Sequence, residues 1–321
     1  MVYPGPDTVS MTTASAPAKI ILFGEHAVVY GQPAIAVPVS DLRATVTVET
    51  AVVGHEGLRI IAADLGEVIQ VVDQSENLDS PLAGIVRSIL QAADQSSPNM
   101  TLTIRSNIPV ASGLGSGAAV ATALARALAL AIDYKLDDDK LNRLVYEAER
   151  LHHGTPSGID NTVIVYETPI YFVRGNPIEF LSVVEPFLLL IADTGKAATT
   201  RIVVADVRRL YDADPGRVRA LLQVIGGIAN KARQAIERGR TETLGPLMVE
   251  NHLLLQQLTV SSPELDRLVD AAMEAGAEGA KLSGAGRGGN MIALVKENSC
   301  ENVRQALMQA GAARIFATKV S

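Results

Sequence analysis

The chain has 321 residues, of which 48% are hydrophobic and 20% are charged, a composition typical of a folded globular protein with room for two domains. Its net charge of −7 argues against binding to nucleic acid or to an anionic membrane, and no apolar run reaches the ~18 residues that span a bilayer. The single cysteine, Cys300, cannot form an internal disulfide. Because the polar first fourteen residues also lack a signal-peptide pattern, we expect a cytoplasmic protein.

The first half of the sequence predicts mainly strands. Strands are predicted at 18–23, 34–39, 42–49 and 101–110, and helices at 80–93, 116–132 and 137–153. The last of these helices opens with three aspartates, which the positive end of a helix favours. Glu149 falls at the edge of its apolar face, so its carboxylate is expected to be partly desolvated.

The second half alternates strands with long amphipathic helices, which predicts an α+β fold. Strands are predicted at 187–192, 291–295 and 314–319, and helices at 217–238, 243–258, 263–275 and 300–309. Ser262 is suited to cap the helix that follows it. We place the domain boundary near residue 182, which gives an N-terminal domain at 1–182 and a C-terminal domain at 183–321.

The most informative segment is a glycine-rich loop between a predicted strand and a predicted helix. It reads Ser112, Gly113, Leu114, Gly115, Ser116, Gly117 and Ala118. Glycines let the backbone approach an anion closely, and a helix start offers unpaired N–H groups and a partial positive charge, so the loop predicts a phosphate site. It is neither a Walker A loop nor a dinucleotide fingerprint, because the residues that follow and the glycine spacing differ. A tight turn without a ligand is the alternative interpretation.

A second motif, PAKIILFGEHAVVYG at 17–31, places Lys19 in an apolar strand and Glu25 and His26 just after it. Lysine in such a strand is either an edge side chain that reaches solvent or the fixed positive charge that phosphoryl transfer needs. A lone Glu-His pair is otherwise typical of a solvated loop.

A third motif, ERLHHGTPSGIDN at 149–161, puts Glu149 at a helix end and Asp160 eleven residues later. One of these two carboxylates could hold Mg²⁺ while the other accepts a proton. Helix capping and an ordinary Asp-Asn turn are the alternative. His152 lies on the apolar stripe of the helix, which favours a packed histidine over a metal ligand.

These three motifs and KLSGAGRGGNMIAL at 281–294 occur in the order found in the GHMP kinase superfamily, and the second resembles the mevalonate kinase family specifically. Galactokinases share Gly-Glu-His but continue toward an Asp-Tyr pair, and homoserine and phosphomevalonate kinases generally lack the Glu-His arrangement. The resemblance covers most of the chain. It implies the GHMP kinase fold, with a ribosomal-protein-S5-like N-terminal domain and a ferredoxin-like C-terminal domain. It also implies ATP-dependent phosphorylation of mevalonate at its C5 hydroxyl, in isoprenoid precursor synthesis.

The resemblance implies a role for each matching residue. Asp160 is the expected catalytic base, Lys19 its positive partner and Glu149 a magnesium ligand. Three residues are expected to contact mevalonate, namely Glu25, His26 and Thr200. The ATP phosphates are expected on the loop from Ser112 to Ala118, and the glycine turn at 281–289 is expected to brace that loop.

Three positions depart from the family pattern. Family members usually carry a magnesium-binding serine at the position of Gly117, so either Ser116 or water is expected to replace that ligand. Arg287 stands where glycine is common and Asn290 where cysteine is common. Arg287 either adds positive charge near the phosphates or forms a surface salt bridge.

Two other functions stay open at this point: another GHMP small-molecule kinase, and a nucleotide-binding relative without catalytic activity. The Glu25-His26 pair favours mevalonate, and the presence of Asp160 and Lys19 argues against a non-catalytic protein. The expected partners are ATP and mevalonate, with no nucleic acid and no membrane. A homodimer is left open, because dimers are common in the family.

Overall fold

The computed structural model of the chain describes residues 11–50, 57–71, 80–110, 112–153, 157–197 and 199–321. Its strands are β1 (Met11–Phe23), β2 (Ala34–Thr50), β3 (Leu58–Ala62), β4 (Glu67–Val71), β5 (Met100–Ser106), β6 (Ile170–Phe172), β7 (Glu179–Phe180), β8 (Phe187–Asp193), β9 (Gly279–Ser283), β10 (Asn290–Val295) and β11 (Arg314–Val320). Its helices are α1 (Pro81–Ala92), α2 (Ser116–Ala131), α3 (Asp138–His153), α4 (Ile159–Tyr166), α5 (Thr200–Ala213), α6 (Pro215–Glu237), α7 (Leu244–Gln257), α8 (Pro263–Glu274) and α9 (Glu297–Gln309).

The chain forms two compact units that are interleaved along the sequence. Unit 1 comprises Met1–Ala18, Leu42–Ile108 and Gly115–Tyr166, and unit 2 comprises Lys19–Asp41, Pro109–Leu114 and Glu167–Ser321. The predicted boundary near residue 182 divides the chain into two continuous domains, whereas each of these units consists of three separate stretches of the chain. That boundary stays a prediction.

Unit 1 combines a sheet with the helices α1 to α4. Strands β4, β3, β5 and β2 are neighbours in that order; β3 and β5 are parallel, and the other two pairs are antiparallel. In β2 the residues Ala44, Val46 and Val48 are buried while the threonines between them are only half-buried, as the predicted alternation requires. Helix α2 is rich in buried alanine, which lets α1, α3 and α4 pack against it.

Unit 2 contains a four-stranded antiparallel sheet in the order β11-β8-β10-β9. Strand β8 is a nearly continuous buried run, which is typical of a strand covered on both faces. A core of aliphatic side chains joins this sheet to the helices of the unit and includes Leu190, Ile225, Leu255 and Leu282. Also in unit 2, the start of β2 pairs with β6, and β6 pairs with β7.

Most predicted elements are confirmed to within a few residues. Strand β1, however, begins at Met11 rather than at residue 18, and β3, β4, β6, β7 and β9 lie where the sequence pattern predicts no strand. The strands predicted at 34–39 and 42–49 are the single strand β2. Pro38 lies between the segment that pairs with β6 and the one that pairs with β5, so its missing N–H interrupts neither ladder. The strand predicted at 101–110 already ends at Ser106.

Two helices are also absent from the predicted elements. Helix α4 is rich in β-branched residues, which have low intrinsic helix propensity, and it begins directly after a glycine turn. Helix α5 begins at Thr200, one of the residues expected to contact mevalonate. Among the described residues, no helix is long and apolar enough to cross a membrane.

A buried ion pair joins β9 to the turn that follows β1, within unit 2. The side chains of Glu25 and Lys281 have no exposed area, and the Lys281 ammonium contacts the Glu25 carboxylate. Lys281 Nζ also donates to the Leu282 carbonyl at 2.7 Å, and Asn251 Nδ2 donates to Glu25 Oε2 at 3.3 Å. Burial raises the pKa of Glu25 and lowers the pKa of Lys281, and their mutual attraction opposes both shifts.

We expect Lys281→Met to lower the free energy of unfolding by about 3–5 kcal/mol, because it leaves the Glu25 carboxylate buried without its cation. Replacing both partners, as in Glu25→Gln with Lys281→Met, removes the uncompensated charge and should restore most of that loss. Urea unfolding measures both variants.

The matched control is Arg208→Met, which removes the exposed ion pair between Arg208 and Asp212 on α5 and should cost at most about 1 kcal/mol. If Lys281→Met costs no more than this control, the buried pair contributes nothing to stability.

Candidate active site

The unit 2 part of the glycine-rich loop, residues 112–114, is held at two of its carbonyl groups. The backbone N–H of Lys19 donates to the Leu114 carbonyl at 3.0 Å, and Asn290 Nδ2 donates to the Ser112 carbonyl at 2.6 Å. Ser112 Oγ donates to the Pro109 carbonyl at 2.8 Å, so this hydroxyl serves the loop itself. Gly113 has a φ of 81°, a backbone conformation that favours glycine. The loop is therefore fixed in shape, and the contact that braces it comes from Asn290, directly after the glycine turn.

Helix α2 of unit 1 begins where this loop ends. Gly115 is its N-cap with a φ of 76°, and the first intrahelical bond runs from the Ala119 N–H to the Gly115 carbonyl at 3.0 Å. Helix geometry leaves the N–H groups of Ser116, Gly117 and Ala118 without a partner in the helix. These groups and the positive end of the helix dipole make the start of α2 suited to an anion such as phosphate.

The Glu149 carboxylate lies beside this helix start, also within unit 1. A β-carbon built on Gly117 would be 3.1 Å from Glu149 Oε1, so α3 brings the half-buried Glu149 to the first turn of α2. Carboxylate and hydroxyl oxygens are ligands that Mg²⁺ accepts, and Mg²⁺ usually takes its other ligands from phosphate and water. Glu149 could therefore hold a magnesium ion at this place, and Ser116 is the first residue of the same helix start.

A self-contained metal site is not seen: in the described ranges, no cluster of three or more His, Cys, Asp or Glu side chains is placed to hold a metal ion. The predicted packing of His152 lies outside what the structure describes, because its side chain and that of His153 are not among the described groups.

Asp160 lies in the first turn of α4 and is half-buried. Its neighbours Ile159 and Asn161 are buried, and Asn161 Nδ2 donates to Asn142 Oδ1 of α3 at 2.6 Å. Thr162 Oγ1 donates to the Gly158 carbonyl at 2.7 Å at the helix start. The segment is therefore the start of a helix rather than an ordinary Asp-Asn turn, and the helix dipole favours a carboxylate at this position.

Lys19 is buried in β1, with 5% of its surface exposed. An edge lysine that carries its ammonium into bulk solvent would expose far more. The first of the two interpretations of this residue therefore fails. Lys19 is enclosed in the strand and lies beside the glycine-rich loop, and its role as a fixed positive charge stays a prediction.

Glu25 and His26 lie in the turn after β1, and both are buried. Both Glu25 carboxylate oxygens already accept hydrogen bonds inside the protein, from Lys281 and Asn251. His26 has a φ of 59°, and its Nε2 lies 2.8 Å from the Ala285 carbonyl, to which it donates. Burial lowers the pKa of His26, which favours the neutral ring and leaves Nδ1 as a hydrogen-bond acceptor.

Two further residues of the prediction lie on or beside α5. Arg287 pairs with Asp206 of α5, and its Nε donates to the Thr259 carbonyl at 3.0 Å. The salt-bridge interpretation of Arg287 is therefore the one that the structure supports. Thr200 is the first residue of α5 and is exposed, and its contact with a substrate stays a prediction.

Sequence reasoning did not predict the contacts of Lys281, Asn251 and Asn290: it named Asn290 only as a departure from the family and Lys281 only as the start of the glycine turn. Lysine in the apolar run of β9 is a signal that could have indicated a buried charge, because a lysine is almost never fully buried without a partner. Asn251 has no comparable signal, since its contact with Glu25 joins residues far apart in the sequence.

Comparisons with known proteins identify the same family over most of the chain. Residues 82–168 match the GHMP kinases N terminal domain, and residues 232–313 match the GHMP kinases C terminal family. The chain is 39% identical over 325 residues to the mevalonate kinase of Thermococcus sibiricus, with 96% of each chain covered. It is 37% identical over 316 residues to the mevalonate kinase of Pyrococcus furiosus, with 93% of each covered.

Solved structures give the same result. The L. major mevalonate kinase in complex with R-mevalonate superposes with a TM-score of 0.84 at 28% identity, over 100% of this chain and 99% of that one. The Methanococcus jannaschii mevalonate kinase superposes with a TM-score of 0.85 at 26% identity, over 98% and 100%. The predicted GHMP kinase fold is therefore confirmed. Similarity of this extent over both domains shows that the chain belongs to the mevalonate kinase family of the GHMP kinases.

Proposed function

We propose that this protein transfers the γ-phosphate of ATP to the C5 hydroxyl of mevalonate and releases ADP and 5-phosphomevalonate, a step of isoprenoid precursor synthesis. The observation that carries the proposal is the 39% identity, over 96% of both chains, to a mevalonate kinase. The local geometry supports it, because a glycine-rich loop, a helix start and a carboxylate meet at Gly117.

The phosphates of ATP bind the loop from Ser112 to Ala118. Backbone N–H groups at the start of α2 receive the phosphate oxygens, and the left-handed glycines at 113 and 115 let the chain approach them closely. When Mg²⁺ is bound, it neutralises charge on the phosphates and aligns them. Glu149 would hold that ion, together with Ser116 or a water in place of the serine that family members carry at the position of Gly117.

Asp160 accepts the proton of the C5 hydroxyl as that oxygen attacks the γ-phosphorus and the bond to the ADP oxygen breaks. Lys19 stabilises the negative charge that develops on the transferred phosphoryl group. Phosphoryl transfer asks mainly for alignment, charge neutralisation and a place for the proton. These two residues supply the last two requirements.

Mevalonate binds near His26. The neutral ring donates through Nε2 to the Ala285 carbonyl, so Nδ1 is the atom that accepts a hydrogen bond from a substrate hydroxyl. The carboxylate of Glu25 is enclosed with Lys281, so Glu25 positions the turn that carries His26. Thr200 supplies an exposed hydroxyl at the start of α5.

We infer that the enzyme works in the cytoplasm, since Cys300 is its single cysteine. A homodimer is inferred from the family resemblance alone, and light scattering of the purified protein measures it.

A substrate screen tests the function. ADP release is followed with ATP and Mg²⁺ in the presence of mevalonate, phosphomevalonate, galactose or homoserine. Turnover with mevalonate supports the proposal. Turnover with one of the other alcohols alone identifies a different GHMP kinase, and ATP binding without turnover on any of them identifies a non-catalytic relative.

We predict that Asp160→Asn lowers kcat by at least about 10²-fold, because the amide cannot accept the hydroxyl proton. ATP binding, measured by calorimetry, should survive. The matched control is Asp138→Asn, which removes an exposed carboxylate from the first turn of α3 and should leave kcat unchanged. Near-normal kcat in Asp160→Asn would show that Asp160 is not the base.

We predict that Glu149→Gln raises the Mg²⁺ concentration needed for half-maximal rate more than it raises the KM for mevalonate. The reason is that the carboxylate lies at the start of α2 and not in the predicted substrate turn. Glu147→Gln is the control, since Glu147 is exposed on the same helix and pairs with Arg150. An unchanged Mg²⁺ dependence removes Glu149 from the metal site.

We predict that Gly117→Ser stays active and binds Mg²⁺-ATP tighter by at most ~1.5 kcal/mol, the scale of one net hydrogen bond. The new β-carbon meets only the flexible end of Glu149, at 3.1 Å, and places a hydroxyl beside that carboxylate. Ser116→Ala should weaken Mg²⁺-ATP binding if Ser116 is the present substitute, and should leave it unchanged if water is. Inactivation by Gly117→Ser would contradict the assigned metal position.

A further inference from the structure

A row of polar side chains crosses one end of the four-stranded sheet of unit 2. The strand register places Arg314 opposite Asp193, Asp193 opposite Asn290, and Asn290 opposite Ser283. Residues directly opposite each other on neighbouring strands share one face of the sheet. We call these four residues the polar row. Asp193, Asn290 and Ser283 are buried, whereas Arg314 is about half exposed.

Two members of the row hold the parts of unit 2 that are assigned to ATP and to phosphoryl transfer. Ser283 Oγ donates to the Ile21 carbonyl of β1 at 2.7 Å, two residues after Lys19. Asn290 Nδ2 donates to the Ser112 carbonyl of the phosphate loop at 2.6 Å. The donor of this second bond has to be the amide nitrogen, because the partner is a carbonyl.

A third member, Asp193, shapes the segment that leads to Thr200. Its carboxylate accepts from the Gly195 N–H at 2.8 Å and is balanced by Arg314, whose Nη2 donates at 2.8 Å. The buried charge of Asp193 is therefore fully partnered, which fixes the start of the segment 194–197.

The same segment is bonded to the residue directly before Asn290. The Gly289 carbonyl accepts from the Thr194 N–H at 2.9 Å and from Thr194 Oγ1 at 3.0 Å, and the Gly289 N–H donates to the Lys196 carbonyl at 2.8 Å. Two consecutive residues, Gly289 and Asn290, thus connect the segment 194–196 to the carbonyl of Ser112.

The two ends of the Asn290 amide differ: its nitrogen makes a hydrogen bond, whereas its oxygen lowers the stability of the fold. Its Oδ1 is buried and has no hydrogen-bond partner within the part of the chain that the structure describes. An unpaired buried acceptor is unfavourable, and an apolar side chain of similar size would avoid that cost. The amide at this position is therefore better explained by what its nitrogen holds than by packing.

We propose that the polar row couples the mevalonate site to the ATP site, with Asn290 as the positioning residue that links the segment 194–197 to the phosphate loop. Ordering of that segment by one substrate fixes Gly289 and Asn290, and through them the Ser112 carbonyl that orients the loop for the second substrate. The inference rests on the proposed function, which assigns a mevalonate contact to Thr200, a residue that follows this segment, and ATP to the loop.

The experiment measures the coupling directly. The Kd of a non-hydrolysable ATP analogue with Mg²⁺ is determined by calorimetry without mevalonate and with saturating mevalonate, and the ratio of the two values is the coupling factor. In the unaltered protein we expect mevalonate to tighten nucleotide binding by at least about fivefold, the lower end of typical allosteric coupling.

Two variants break the link at different points. Asn290→Leu removes the donor to Ser112, and Thr194→Val removes one of the two hydrogen bonds to the Gly289 carbonyl while keeping the shape of the side chain. Each should move the coupling factor toward 1, and the loss should be larger for Asn290→Leu. Thr194→Val is the milder change and keeps the test valid if Asn290→Leu fails to fold.

The matched control is Thr318→Val. Thr318 is buried in β11 of the same sheet, away from the polar row, and its Oγ1 has no partner in the described ranges. This variant should keep the coupling factor of the unaltered protein, even where its melting temperature changes.

The outcomes separate the inference from the function on which it rests. If Asn290→Leu and Thr194→Val both bind each substrate alone and retain the full coupling factor, the polar row does not couple the sites, and the inference is wrong. An unaltered protein that shows turnover but a coupling factor of 1 overturns it equally. If the unaltered protein does not bind mevalonate, the proposed function itself fails.

Discussion

A loop whose N–H groups are to receive a phosphate needs other partners for its carbonyl groups, and the glycine-rich loop depends on this constraint. In a trans peptide group the N–H and the carbonyl point to opposite sides. The left-handed backbone at Gly113 and Gly115, which glycine permits, sets the side that each group faces. The Leu114 carbonyl is paired with the Lys19 N–H, and the Ser112 carbonyl with Asn290. Without these bonds the carbonyl groups would be buried unpaired or would turn toward the site.

In the turn that follows β1, the buried charge of Glu25 fixes the backbone and is not itself exposed. Glu25 is enclosed with Lys281 and Asn251, while the adjacent His26 reaches the glycine turn through Ala285. Burial of this pair is costly, and the cost is offset only while both charges and the amide remain in place. The arrangement fixes the direction of the turn, so the Glu-His motif has a positioning part and a part that can face a substrate.

The three residues that depart from the family pattern, Gly117, Arg287 and Asn290, have different effects on the contacts around them. The absence of a side chain at Gly117 lets the Glu149 carboxylate approach the helix start, since a β-carbon built there would be 3.1 Å from Oε1. The guanidinium of Arg287 is instead occupied by Asp206 and the Thr259 carbonyl. Asn290 replaces a residue with little hydrogen-bonding capacity by one that donates to the phosphate loop.

The sequence by itself determined the family, the element types over most of the chain, and the identity of the candidate phosphate loop. Those conclusions depend on local patterns: glycine spacing, apolar periodicity and the order of short motifs. Helix α4 escaped that reasoning, since its β-branched residues form a helix only where neighbouring helices bury them. Only the tertiary structure decided that Glu25 pairs with Lys281, that Arg287 pairs with Asp206, and that Asn290 holds Ser112. Each of these contacts joins residues more than 80 positions apart, and no local pattern encodes which distant partner satisfies a buried polar group.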